Sequence, residues 1–279
     1  MTTPTYIMGR TDEETQRLIA AARILNPFTR RMLIDAGVAP GMRVLDVGTG
    51  AGDVALIAAE LVGPTGAVVA VDQNPTILTT AYERAQAAGL DHISFVAGSA
   101  SDVELSGQFD AIVGRLVLMY VGDAAGLLRR LAGYLAPGGV MAFQDFNFSP
   151  SSVRSTPPVP LWDTAWGWMT NLVVRAGISQ TAGFDLHRIL RSAGLSAPSM
   201  RLESVVESGP DAVGYAWITD ALRSMLPLID QLGVATGAEV DIDTLAQRLR
   251  AATVAVDAVV KAPDVVSAWA RLEPSTLES

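Results

Sequence analysis

The sequence predicts an α/β protein built on a doubly wound, mostly parallel sheet with helical cap insertions. Three observations carry the prediction. Short apolar runs such as Val44 to Val47, Val68 to Val71 and Ile93 to Ala97 alternate with stretches of helical period, the pattern of strands joined by crossover helices. The runs are near-continuously hydrophobic, as strands covered on both faces must be. Between the first run and the next helical stretch lie three alternating glycines, Gly48, Gly50 and Gly52, which let a backbone turn tightly and approach a ligand.

The elements follow in order. Leu18, Ile19, Ala22 and Leu25 recur at helical spacing within Glu13 to Leu25, Pro27 interrupts, and a second amphipathic stretch runs from Arg30 to Ala36, so two helices are expected before the core. Gly37 to Gly41 turns the chain into the first strand. Helices are expected over Asp53 to Leu61, Thr76 to Ala88 and Ala124 to Leu135, and a fifth strand over Val140 to Asp145. Ser149 to Pro160 is rich in Ser and Pro and reads as a loop. Leu161 to Gly194 is helical in pattern, and Ser199 to Glu207 alternates like a sixth strand. Asp211 to Gln231 and Val240 to Val260 read as helices of a lid, with Asp211 and Asp243 as N-terminal signals. Asp264 to Ala270 is the candidate seventh strand. The organisation expected is an N-terminal helical flap over 1–37, a cofactor-binding core over 38–148, a helical insert over 149–195, and the last two strands over 196–279 with a lid insert at 209–263.

Asp72 ends the second apolar run, 24 residues after Gly48 by subtraction, near the roughly 20 residues that place a carboxylate opposite ribose hydroxyls in nucleotide folds. The dinucleotide pattern G-x-G-x-x-G is not met, because Asp53 stands where its third glycine belongs. Asp46-x-Gly48-x-Gly50-x-Gly52 instead resembles motif I of the class I S-adenosylmethionine (SAM) dependent methyltransferases. Ile93 to Ala100, Phe109-Asp-Ala-Ile-Val113 and Leu135-Ala-Pro-Gly-Gly-Val140 are similar to that family's third strand, fourth strand and turn before the fifth, in order, so the likeness covers roughly Gly37 to Phe148. The resemblance implies a seven-stranded Rossmann-like sheet and SAM as cofactor. Gly48, Thr49 and Gly50 would approach its methionine portion, Asp72 the ribose, and Gln73 the ribose or adenine. Gly98-Ser99-Ala100 stands where many relatives carry Gly-Asp-Ala, so Ser99, in place of the acid, or the backbone there would meet the adenine. Asp102 is a nearby substitute or a solvated turn residue. Arg115, after the fourth strand, would pair with the cofactor carboxylate or face solvent.

Composition narrows the function. A formal net charge of −9 with no basic cluster disfavours nucleic acid as a partner. No apolar run reaches the roughly 18 residues of a membrane span, and Met1-Thr-Thr-Pro-Thr lacks a leader pattern, so a cytoplasmic protein without membrane attachment is expected, as monomer or homodimer. The absence of cysteine excludes disulfides and thiol chemistry. His92 and His187 are the only histidines and lack metal-ligand spacing, and Asp145 with Asn147 does not make a magnesium site, so no metal is expected. The sequence after the fourth strand, Gly114-Arg-Leu-Val117, lacks the Asn-Pro-Pro-Tyr of amide and base methyltransferases.

The acceptor is expected to be a small molecule of specialised metabolism, with an aromatic one favoured by the composition of the inserts. Trp162, Trp166 and Tyr215 would bind it, with Trp168 and Trp217 nearby, unless these rings form core. Tyr6 in Tyr-Ile-Met-Gly-Arg10 would belong to a flap. Methyl transfer from a sulfonium is an in-line displacement that alignment and water exclusion can accelerate alone. If a base takes part, His187 is the candidate. A silent SAM-binding regulator and a nicotinamide-dependent oxidoreductase are the rivals; the latter should suffer repulsion of its pyrophosphate by Asp53.

Overall fold

A computed structural model describes residues 12–273, with side chains from Ala22 onward. Tyr6 lies outside the described residues. The chain forms two compact units. One comprises Leu25–Asp145, Gly183–Arg201 and Val266–Ser279; the other comprises Met1–Ile24, Phe146–Ala182 and Leu202–Val265.

The chain enters through one helix, α1 (Asp12–Ala36), with Pro27 inside it. Two helices parted at Pro27 were the expectation, and the structure corrects it. An interior proline costs about 3 kcal/mol, whereas Leu25, Thr29, Met32, Leu33 and Ala36 are all buried along one face. Fully burying each large aliphatic side chain returns roughly 1.5–3 kcal/mol, so continuing the helix wins.

The first unit is the sheet and its helices. Strands β1 (Arg43–Val47), β2 (Ala67–Asp72), β3 (Ile93–Ala97), β4 (Phe109–Arg115) and β5 (Leu135–Asn147) alternate with α2 (Asp53–Val62), α3 (Pro75–Ala87) and α4 (Ala124–Ala132). β1 pairs in parallel with β2 and β4, and β4 in parallel with β5. With the later β7 (Ser199–Glu203) and β10 (Asp264–Arg271), the seven-stranded order is β3-β2-β1-β4-β5-β10-β7. The order reverses beside β1, and ligands of open α/β sheets sit outside the strand ends at such a switch. Alternation sorts the side chains: Val44, Ala111, Val113, Val140 and Ala142 pack with Met32 and Ala55 in one core, while Leu45, Val47, Ile112, Met141 and Phe143 pack with Leu128 and Leu186 in another.

Local chemistry starts the helices. Asn74 caps α3 by accepting from the Thr76 amide at 3.1 Å, and Asp123 caps α4 through the Gly126 amide at 2.8 Å, each satisfying an amide the helix cannot. β5 begins earlier than expected, at Leu135, because the Pro137-Gly138-Gly139 turn stays within the strand's pairing, with a register shift between Phe109 and Ala111.

The second unit holds α5 (Pro160–Arg175), α7 (Gly214–Gln231), the short α8 (Gly237–Val240), α9 (Ile242–Ala255) and a small antiparallel sheet of β6 (Arg154–Thr156), β9 (Val259–Lys261) and β8 (Val206–Ser208). This sheet corrects two expectations. The presumed loop contains β6, and Ser199 to Glu207 is not one strand but β7 followed by β8 in the other sheet. Strands of three residues are too short to show alternation. The expected helix signals also move. Glu207 accepts from the amides of Val213 and Gly214 at 3.1 and 3.0 Å, so α7 is capped from β8 and not by Asp211. Asp241, not Asp243, is the N-cap of α9. The helical insert is likewise divided: α6 (Ala182–Ser192) falls almost wholly within the first unit, where Leu186 and Leu190 join its core.

Candidate active site

The turn after β1 is built by its glycines. Gly48, Gly50 and Gly52 take φ of 67°, 53° and 88°, the left-handed region open to glycine. At Gly48 a Cβ would also lie 2.3 Å from Val117 Cγ2, whereas at Gly50 the nearest atom, Ile77 Cδ1, is 4.0 Å away, leaving space beside the backbone. The amides of Gly48 and Thr49 both donate to the Val71 carbonyl, at 2.8 and 3.0 Å, which ties the turn to the end of β2.

Asp72 completes that tie. Its Oδ2 accepts from the Gly50 amide and its Oδ1 from the Asn74 amide, both at 2.9 Å, so the carboxylate is aimed by backbone while each oxygen keeps a second lone pair. Its carbonyl accepts from the Gly98 amide at 2.9 Å, setting the Gly98-Ser99-Ala100 turn beside it. Ser99 accepts from the Ser101 amide at 3.2 Å, and the Ala100 carbonyl accepts from Arg130 at 2.9 Å. Gln73 and Asp102 are exposed.

Arg115, at the end of β4, does not face solvent; its side chain is 9% exposed. It donates to Asn26 Oδ1 at 2.9 Å and Thr29 Oγ1 at 3.0 Å, and lies 3.5 Å from Asp53 Oδ2. Thr29 donates onward to Gln144 Oε1 at 2.9 Å, and Gln144 to Ser267 at 2.8 Å. Burial lowers the guanidinium's pKa, while Asp53 and Asp46 raise it. Leu116 follows at φ 55°, an unfavourable conformation for a branched side chain, costing roughly 1–2 kcal/mol, and its amide donates to Gln144 O at 2.7 Å. Such strain tends to concentrate at functional sites.

Asp53 is not the lone charge that its place in the glycine motif suggests. Its carboxylate is paired with Arg84 at 2.7 Å as well as with Arg115, so its charge is offset and repulsion of a pyrophosphate does not follow from it.

Sequence reasoning passed over Asp46, although it opens the glycine motif. Asp46 is fully buried, and neither carboxylate oxygen has a hydrogen-bond partner, nor does the buried Thr49 hydroxyl. Burial raises the Asp46 pKa to about 7, with Asp72 adding to the rise; the Thr49 hydroxyl and the Ala55 backbone amide, which approach the carboxylate without completing a well-aligned hydrogen bond, and the Arg115 charge offset part of it. Asp145, two residues before the end of β5, is also buried, with Oδ1 unpartnered. Its pKa is raised by burial, against a hydrogen bond from the Met119 backbone. Asn26, Thr29 and Gln144 were missed as well, for lack of any motif.

The remaining expected residues lie elsewhere. His187 is exposed on α6. Trp162, Trp166 and Tyr215 are buried within the second unit. Trp162 meets Trp166 and Tyr215 edge-on at 6.0 and 6.3 Å between ring centres, and Trp166 meets Trp217 at 5.8 Å, geometries that stabilise aromatic clusters by themselves. Trp162 leaves no room for a Cβ at Gly214, 2.9 Å from its ring. Asn147 donates to Asp264 at 3.2 Å. Among the described residues no group of three or more His, Cys, Asp or Glu side chains could hold a metal ion, and no helix is long and apolar enough to cross a membrane.

A family described as a methyltransferase domain matches residues 39–194, more than half of the chain. The chain belongs to this family. The match covers the sheet unit's glycine turn, Asp72 and Arg115 and supports the class I SAM-dependent assignment. The chain is similar to the aklanonic acid methyltransferase DauC of Streptomyces sp. (strain C5), 34% identical over 47% of this chain and 60% of that one. It is similar also to the 2-phytyl-1,4-naphtoquinone methyltransferase of Trichormus variabilis, 39% identical over 40% of this chain and 49% of that one. The chain thus spans less than two thirds of the length of these relatives. The YcgJ protein of Bacillus subtilis shares the fold, with a TM-score of 0.58 and 16% identity over 88% of this chain and 98% of that one.

Proposed function

We propose that this chain is a SAM-dependent methyltransferase acting on a small-molecule acceptor. The observation that carries the proposal is the buried, unpartnered carboxylate of Asp46 beside a glycine turn that leaves space at Gly50. A buried carboxylate without a partner is costly, and a cation arriving in the turn relieves it. SAM fits this set of groups: Asp46 and Thr49 would take its ammonium, Arg115 its carboxylate, and Asp72 its ribose hydroxyls, with Gln73, Ser99 and Ala100 at the adenine end. When bound, the cofactor supplies a methyl group on a sulfonium, an electrophile that needs no metal to activate it.

The chain's own part is binding and orientation. Asp72 is held by two backbone amides, so it meets the ribose without reorganising, and the Arg115–Thr29–Gln144–Ser267 series holds the guanidinium in one place. Alignment of donor and acceptor of this kind lowers the barrier of an in-line displacement. The names of the two curated relatives, which act on aklanonic acid and on a naphthoquinone, support an organic acceptor of specialised metabolism.

Calorimetric titration with SAM, S-adenosylhomocysteine and NAD tests the proposal. Wild-type protein should bind the first two and not NAD, and Asp72→Ala should abolish binding, because two charge-assisted hydrogen bonds of about 1.5–3 kcal/mol each also shape the turn. Binding of NAD in preference would refute it. Binding of SAM with no product from any acceptor, followed with labelled methyl, would assign the chain a regulatory role instead.

A further inference from the structure

Asp145 is a buried carboxyl near the end of β5 with no task in cofactor binding. The register places it: Gly114 lies beside Val47 and Arg115 beside Gln144, so Asp145 stands one residue past the row in which β4 ends, where β5 runs on beyond its neighbours. That is the crevice in which open sheets take their ligands. By alternation it shares a sheet face with Met141 and Phe143, opposite the face from which Gln144 reaches Thr29. It is 1% exposed, and its Oδ1 lacks a partner. The Met119 backbone donates to it, and no charged side chain acts on it among the described residues. An acid kept dry, with one oxygen unmet, lacks a structural reason, since an apolar residue there would cost less.

Resting on the methyltransferase reading above, we infer that Asp145 is a catalytic residue that receives the proton of the acceptor, and that the acceptor carries an acidic hydroxyl on an unsaturated carbon, a phenol or enol. Asp145 Oδ1 takes the hydroxyl proton as the acceptor oxygen bonds to the methyl carbon. The carbon–sulfur bond breaks with its electron pair left on sulfur, which becomes a neutral thioether, and Asp145 then releases the proton to water. A carboxyl made more basic by burial matches such a hydroxyl better than an exposed one. The exposed His187 is not needed for this step.

The test uses the full chain saturated with S-adenosylhomocysteine and titrated with alizarin, a hydroxyanthraquinone whose visible band shifts on ionisation. Wild type should hold the probe as its anion about one pH unit below the transition in free solution, and the infrared spectrum should gain a protonated carboxyl band on binding. D145N should bind the probe neutral and about tenfold more weakly, the loss of one hydrogen bond to a charged group, with unchanged affinity for S-adenosylhomocysteine. The infrared measurement on wild type decides the matter even if D145N folds poorly. Equal spectra and affinities in both proteins, a neutral probe in wild type, or no added carboxyl band would overturn the role of Asp145. Failure of the loaded protein to bind the probe would overturn the acceptor class, and failure to bind S-adenosylhomocysteine would instead overturn the cofactor reading beneath it.

Discussion

Asp46→Asn should make the free protein more stable and the cofactor weaker. The Asp46 carboxyl has an ordinary pKa of 3.8 that burial raises to about 7 in the folded state. Below about pH 4 it is protonated in both states and imposes no penalty. As pH rises through the window from 3.8 to about 7 the unfolded chain ionises first, so the folded state is progressively disfavoured; above that window the penalty is complete. Three pKa units at about 1.4 kcal/mol each give a cost of about 4 kcal/mol. The side chain is fully buried, so solvent screening does not reduce it. Asparagine keeps the shape and carries no charge. Urea denaturation at about pH 5 and about pH 8 should therefore show the stability advantage of Asp46→Asn over wild type growing by about 3 kcal/mol between the two, since at the lower pH only about one unit of the penalty has developed. In calorimetry the same variant should bind SAM at least tenfold more weakly, having lost the charged partner of the ammonium. An advantage that does not change with pH would refute the assignment of a raised pKa, and with it the argument that the unpartnered carboxylate awaits a cation.

Gly48→Ala should destabilise the protein by about 2–4 kcal/mol, combining a left-handed conformation with overpacking against Val117, and should depress SAM affinity. Gly89→Ala is its control, with φ 68° but no atom within 4 Å, so thermal melts should show it losing only the conformational part, about 1–2 kcal/mol. His187→Gln should leave methyl transfer unchanged, because the side chain is exposed on α6; a fall in rate of about a hundredfold, the scale of a lost general base, would restore the histidine to the mechanism.

Much of the sheet unit was legible in the sequence. Its central strands are covered on both faces, so their apolar runs are long and their order along the chain is written in local period. The glycine turn was legible for a related reason: three left-handed residues in five positions leave glycine as the residue without strain. The second unit was harder to read. Its strands have three residues each, α7 takes its cap from Glu207, and α9 starts from a left-handed Asp241, set by how β8 and the α8 turn meet the helices.

What the sequence by itself determined is the doubly wound sheet, the cofactor turn and the acid at the end of β2, all consequences of interactions between near neighbours and of steric limits on single residues. Tertiary structure alone decided the rest of the site. Arg115 is withdrawn from solvent by Asn26, 89 residues away, and Gln144 is held by Ser267, 123 residues away. The aromatic rings pack edge-on against one another, and Asp46 and Asp145 are left buried with oxygens unmet. Burial and partnership depend on which distant segments close around a side chain, and neither period nor motif encodes that.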